Sequence, residues 1–266
     1  MRRKQLVLST AAVLAALALA GCANDRMTTG SISQSASYGK PVDQLTEADL
    51  RAEADSLGRA YVADPKNKAL ALRYAAVLQM DGRTDQSLAV MRRTAIVFPK
   101  DRDVLAAYGK ALAAAGDLQP ALDAVRRAQT PEYPDWKLMS AEAAILDQLG
   151  KTQDARALYR RALDIKPGEP SILSNLGMSY VLEGDLKTAE TYLRQAVAIP
   201  GTDSRVRQNL ALVVGLQGRF KDAEQIARQE LSPDQAQANV SYLRSMLAQQ
   251  NAWNQIKAQD EEKNTN

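Results

Sequence analysis

The chain contains no histidine, one cysteine and two phenylalanines among its 266 residues. Without His there is no Ser-His or Cys-His pair to generate a nucleophile, and the side chain best suited to acid–base work near neutral pH is missing. One Cys permits no internal disulfide, and one Cys with no His leaves no ligand set for zinc, haem or an iron–sulfur cluster. No H-E-x-x-H, G-x-S-x-G or phosphate-loop motif occurs; Gly109-Lys110 and Gly150-Lys151 lack the upstream glycine such a loop needs. The neighbouring carboxylates Glu261 and Glu262 stand in a polar tail with no scaffold to fix their separation. The expectation is a non-enzymatic protein with no catalytic residue, no cofactor and no metal. Two Phe also speak against a large aromatic-centred core.

What is present begins at the N-terminus. Arg2, Arg3 and Lys4 precede an apolar stretch from Leu6 to Ala20 and a small-residue exit. This reads as a secretion signal over residues 1–21, too short to span a bilayer comfortably, for which a helix needs about 20 residues. Its end, Leu19-Ala20-Gly21-Cys22, resembles the lipobox of bacterial lipoproteins, whose signal is cut before a cysteine that then carries acyl chains. The resemblance implies that Cys22 is a lipidation site and an anchor, and that more than one chain makes attachment stable where a single chain is marginal. Ala23 rather than Asp after the cysteine resembles the outer-membrane sorting rule of Gram-negative lipoproteins, so the expected location is the outer membrane, facing the periplasm.

Charge changes with processing. The signal holds three of the 34 basic residues and none of the 31 acidic ones, so the remainder is balanced. A nucleic-acid partner, which requires a basic field, is not expected. Residues 22–41, "CANDRMTTGSISQSASYGKP", are rich in Ser, Thr and Gly and lack an apolar period. They read as a flexible tether of roughly 24 Å r.m.s. span, at about 5.5 Å × √n.

Residues 42–257 are Ala- and Leu-rich and read as helix after helix. Gly82, Gly116, Gly150, Gly184 and Gly218 recur every 34 residues. Seven residues before them stand Ala75, Gly109, Ala143, Gly177 and Ala211; five after stand Ser87, Ala121, Ala155, Ala189 and Ala223. Larger side chains fill two more columns, Leu78, Leu112, Leu146, Tyr180 and Val214, and Met91, Val125, Tyr159, Leu193 and Ala227. The pattern resembles the tetratricopeptide repeat, most clearly in "NLGMSYVLEGDLKTAETYLRQAVAIP" from Asn175 to Pro200. Each glycine would turn helix A into helix B, the small columns would allow close approach, and the large ones would fill the seam. Pro65, Pro99, Pro167 and Pro200 would stop the B helices.

The expected fold is therefore all-α, a right-handed solenoid of about five repeats near residues 68–101, 102–135, 136–169, 170–203 and 204–232. Helices over 45–63 and 233–257 would cap it, and 258–266 would be a disordered tail. Two departures stand out. Glu142 replaces the Tyr or Leu of its column and follows "TPEYPDW", so the stack is expected to bend or loosen there. Glu230 replaces the Thr or Ala of another column, so the fifth helix B is expected to end early or to face water.

In the tetratricopeptide family the A helices line a groove for partner segments. Carried over by phase, the candidate lining is Asn175, Met178, Val181 and Leu182 from the fourth repeat and Arg205, Asn209, Leu212 and Leu216 from the fifth. The two asparagines would hydrogen-bond an extended backbone above an apolar floor. The alternative left open is that these apolar residues pack against neighbouring helices or lie beneath the C-terminal helix. Leu72 with Ala76 and Ser174 with Met178 stand where the carboxylate-clamp members of the family carry Lys and Asn, which disfavours a clamp partner.

The lipobox, tether, repeats and the junction from Arg207 to Leu247 together resemble the TadD family of tetratricopeptide-repeat lipoproteins of Flp/Tad pilus assembly. That resemblance implies a scaffold or adaptor whose partners are pilus-machine subunits, including an outer-membrane secretin towards which it would act in a pilotin-like manner. Two other functions remain open: an adaptor for another envelope machine, such as outer-membrane barrel assembly or cell-wall enzyme recruitment, and a subunit of envelope polysaccharide synthesis.

Overall fold

Five residues spaced by 34 start the A helices: Asn67, Asp101, Asp135, Glu169 and Asp203. Each is an N-cap whose side-chain oxygen accepts a backbone N–H of the first turn, as Asp101 does from Asp103 and Val104, both at 3.1 Å. Such caps satisfy amides the helix cannot pair itself, and four of the five are acidic, which suits the positive end of the helix dipole.

A computed structural model describes residues 40–42, 45–130, 132 and 134–263, with 251–263 as backbone only. The signal segment, Cys22 and nearly all of the tether lie outside them. The elements assigned among the described residues are helices: α1 (Glu47–Ala63), α2 (Lys68–Met80), α3 (Thr84–Val97), α4 (Arg102–Ala114), α5 (Leu118–Ala128), α6 (Trp136–Gln148), α7 (Thr152–Ile165), α8 (Pro170–Leu182), α9 (Leu186–Val197), α10 (Ser204–Leu216), α11 (Phe220–Ala227) and α12 (Pro233–Lys263). The chain divides between Ile165 and Lys166 into two compact units. The first holds α1 and the hairpins α2–α3, α4–α5 and α6–α7; the second holds α8–α9, α10–α11 and α12. Within each unit successive helices pack, and each A helix also touches the next one, α2 with α4, α4 with α6, and α8 with α10. The all-α, solenoid-like order of helix pairs expected from the period is what the structure shows.

The five periodic glycines all take φ between +75° and +85°, the left-handed region closed to most L side chains. The residue after each donates its N–H back to the carbonyl five positions earlier, as Arg83 does to Leu78 at 2.8 Å and Lys151 to Leu146 at 2.8 Å. This is the Schellman arrangement, and it satisfies carbonyls the helix end leaves open. The small columns permit contact between the helices of a hairpin. A Cβ on Gly177 would stand 3.0 Å from Leu193 Cγ and 3.1 Å from the Ala189 carbonyl oxygen. The large columns are buried, with Tyr180 half-buried and stacked on Tyr192 at 5.6 Å between ring centroids.

Three places differ from, or sharpen, the sequence expectation. Glu142 does not loosen its hairpin: it is buried and accepts from Arg126 Nε and Gln129 Nε2, both at 2.7 Å, so the preceding helix supplies the partners its column lacks. Helix α11 is short, ending at Ala227, and Glu230 beyond it pairs with Arg207 of α10. The tail expected to be disordered from 258 is instead helical to Lys263, because Ala258 to Lys263 contains good helix formers and neither Gly nor Pro.

Candidate functional site

Helix α10 carries Arg205, Asn209, Leu212 and Leu216 at i, i+4, i+7 and i+11. At 100° per residue these fall on one stripe, and all four are half-buried rather than enclosed. On α8, Asn175, Met178 and Leu182 share a face by the same rule and are likewise half-buried. Val181 does not join them. It is 4% exposed and belongs to the core, because it stands 100° round the helix from Leu182 and further still from Asn175.

The polar members are already engaged in part. Asn209 donates from Nδ2 to Ser174 Oγ at 3.2 Å, tying α10 to α8, and one amide donor is thereby used within the protein. Arg205 is folded back on the cap of its own helix, its Nε 3.2 Å from Asp203 Oδ1. The stripe therefore offers one partly committed amide, a restrained guanidinium and two leucines.

The C-terminal helix seats beside this stripe. Leu243 of α12 seats against Gly215, where an added Cβ would lie 2.5 Å from Leu243 Cδ2, and Ala236 clusters with Ala211 and Ala227. At about 100° per residue, Gly215 and Ala211 lie between about 60° and about 140° from Leu212 and Leu216 around α10. So the α12 contact adjoins the stripe.

Sequence reading missed a carboxylate that organises the second unit. Glu190 of α9 accepts from Arg194 Nε, Gln217 Nε2 and Arg219 Nη1, each at 2.8 Å. Burial raises its pKa, but the hydrogen bonds from Gln217, Arg194 and Arg219 outweigh that and hold it below the usual glutamate value. Only the Arg194 pair, at i+4, had a signal in the sequence. Among the described residues no group of three His, Cys, Asp or Glu could hold a metal ion, and no helix is long and apolar enough to cross a membrane.

Two family models, each described as tetratricopeptide repeat, match residues 77–136 and 146–213. The helix hairpins within those spans are tetratricopeptide repeats. No curated protein matches the chain significantly. Among solved structures, tetratricopeptide folds align over most of it. PilW, titled a widely conserved type IV pilus biogenesis factor, is 21% identical with a TM-score of 0.57, covering 75% of this chain and 91% of its own. TTC0263, a thermophilic tetratricopeptide-repeat protein of Thermus thermophilus, is 22% identical with a TM-score of 0.57, covering 65% and 96%. The pilF protein of Pseudomonas aeruginosa is 17% identical with a TM-score of 0.50, covering 71% and 91%. At these identities the likeness shows the fold. Repeats of this kind mediate protein–protein contact, and such proteins are typically non-enzymatic scaffolds.

Proposed function

We propose that this protein is a lipid-anchored periplasmic adaptor of Flp/Tad pilus assembly, held to the outer membrane through Cys22 and binding a segment of a pilus-machine subunit, including an outer-membrane secretin, in a pilotin-like manner. The observation that carries the binding part is the α10 stripe, whose Leu212 and Leu216 stay half-buried rather than enclosed. The pilus part draws on the TadD-like order of lipobox, tether and repeats, and on the fold shared with PilW and pilF. An anchor and a tether raise the effective concentration of a weak binder, so a modest groove suffices.

Affinity capture of the lipidated protein from gently solubilised envelopes tests this. Secretin and other pilus components are expected in the wild-type capture and absent with Leu212→Asp, whose circular dichroism should be unchanged. If that variant unfolds, Asn209→Ala, which removes one half-buried amide and its hydrogen bond to Ser174, replaces it. Recovery of barrel-assembly or cell-wall components without pilus components would overturn the assignment in favour of another envelope machine. A deletion strain that piliates normally but loses polysaccharide would point instead to polysaccharide synthesis.

A further inference from the structure

The B helices carry a second periodic set that the balanced net charge conceals. Arg92, Arg126 and Arg160 recur every 34 residues, and so do Arg59, Arg93, Arg127 and Arg161. In the first unit these lie on α1, α3, α5 and α7, and all are exposed. Arg126 is committed to Glu142, and Arg127 donates to the Pro99 carbonyl at 2.8 Å. Arg59, Arg92, Arg93, Arg160 and Arg161 have no ion-pair or hydrogen-bond partner among the described residues. The second unit differs: Arg194 and Arg228, in the same column, each pair with the glutamate four residues earlier, both at 2.6 Å.

The free arginines have apolar neighbours. Val62 is 81% exposed and stands one turn from Arg59; Ile96 is 75% exposed and stands one turn from Arg92 and Arg93. Ile165, 40% exposed, stands four residues after Arg161, next to Asp164, which occupies the Val62 and Ile96 position on α7. Val62 and Ile96 are themselves 34 residues apart, so one aliphatic recurs beside one arginine group at the C-terminal end of successive B helices. Asp55, which pairs with Arg83, stands one turn before Arg59, and Asp123 one turn before Arg127; Asp85 and Asp154 stand about two turns nearer the opposite helix ends, while Asp64 and Asp164 lie beside the arginines and Asp101 and Glu169 follow just past the ends of α3 and α7.

We propose that this edge of the first unit docks on an anionic phospholipid surface, the arginines meeting headgroup phosphates while Val62, Ile96 and Ile165 enter the interface. Unpaired guanidinium groups complement phosphate, and exposed β-branched aliphatics beside them, Val62 and Ile96 above all, favour a lipid interface over a purely polar polyanion. This goes beyond the adaptor function and does not depend on the acyl group.

The test is flotation of residues 23–266, which carry every described helix and no acyl chain, with vesicles. Binding is expected to vesicles of phosphatidylethanolamine and phosphatidylglycerol, to be absent with phosphatidylcholine alone, and to be lost at about 0.5 M salt, where screening reaches a few ångströms. Arg92→Ala with Arg93→Ala should weaken it roughly thirty-fold, at about fivefold per basic residue near the surface. Ile96→Ser should weaken it while leaving its salt dependence intact. Equal binding to both vesicle types, indifference to the arginine pair, or displacement of the vesicles by a DNA duplex or an acidic polypeptide would overturn the proposal. The substituted side chains are exposed, so unchanged circular dichroism is expected throughout.

Discussion

Single residues in this protein show how a departure from the repeat is absorbed. Glu142 sits buried where related positions are Tyr or Leu, and its two oxygens are taken by Arg126 and Gln129. Glu142→Ala removes both hydrogen bonds and leaves a space, yet Arg126 remains half in water, so a cost of about 1–2 kcal/mol is expected. Glu142→Leu, matching Leu176 and Leu210 of the same column, should be neutral or stabilising, because apolar packing commonly equals a buried ion pair. Urea denaturation of both variants checks the contrast, and a leucine variant less stable than the alanine one would refute it. Glu190 sets a pH dependence. Its folded pKa lies below the ordinary value of 4.5, so its contribution is present above that value and lost as pH falls through the lowered one. Asp101 adds to the same limb: burial opposes, but Lys68 and the Val104 and Asp103 amides hold its pKa down. Glu190→Gln should flatten the acid limb of a stability–pH curve below about pH 4.5, measured by denaturation at several pH values.

At the scale of the element, two glycine columns answer different constraints, and alanine substitution separates them. An ordinary mid-helix Gly→Ala change stabilises by about 1 kcal/mol. Gly177→Ala should reverse that sign, since the new Cβ meets the Ala189 carbonyl at 3.1 Å as well as Leu193, and overpacking costs about 1–3 kcal/mol. Gly184→Ala has open space around it but a φ of +82°, so its cost of about 1–2 kcal/mol is purely conformational. Thermal melts of the two variants give the comparison. These columns were legible in the sequence because each hairpin imposes the same steric demand at the same phase. The N-caps Asn67, Asp101, Asp135, Glu169 and Asp203 were equally periodic, but their chemical variety hides the column until the helix starts are seen. The α10 residues were placed by carrying the family's groove over by phase, and their i, i+4, i+7, i+11 spacing sets them along one side of the helix. Val181 was misplaced because one residue is 100° of helix, and Glu190 was overlooked because two of its three partners come from another helix turn brought close only by folding.

For the whole molecule, a stack in which each hairpin contacts only its neighbours loses stability locally rather than all at once. The end of the second unit depends on α12, whose Leu243 is 6% exposed and lies against Gly215, with Ala236 sealing Ala211 and Ala227. Leu243→Ala removes that contact and should cost about 2–4 kcal/mol. Gly215 has no side chain to collapse into the space, which places the value towards the upper part of that range. The loss should appear as faster amide exchange in α10, α11 and α12, while α1 to α7, whose core residues belong to the other compact unit, keep their protection. Hydrogen-exchange mass spectrometry reads both regions at once. Uniform acceleration across the chain would mean that the two units unfold as one and that nearest-neighbour stacking does not describe this protein.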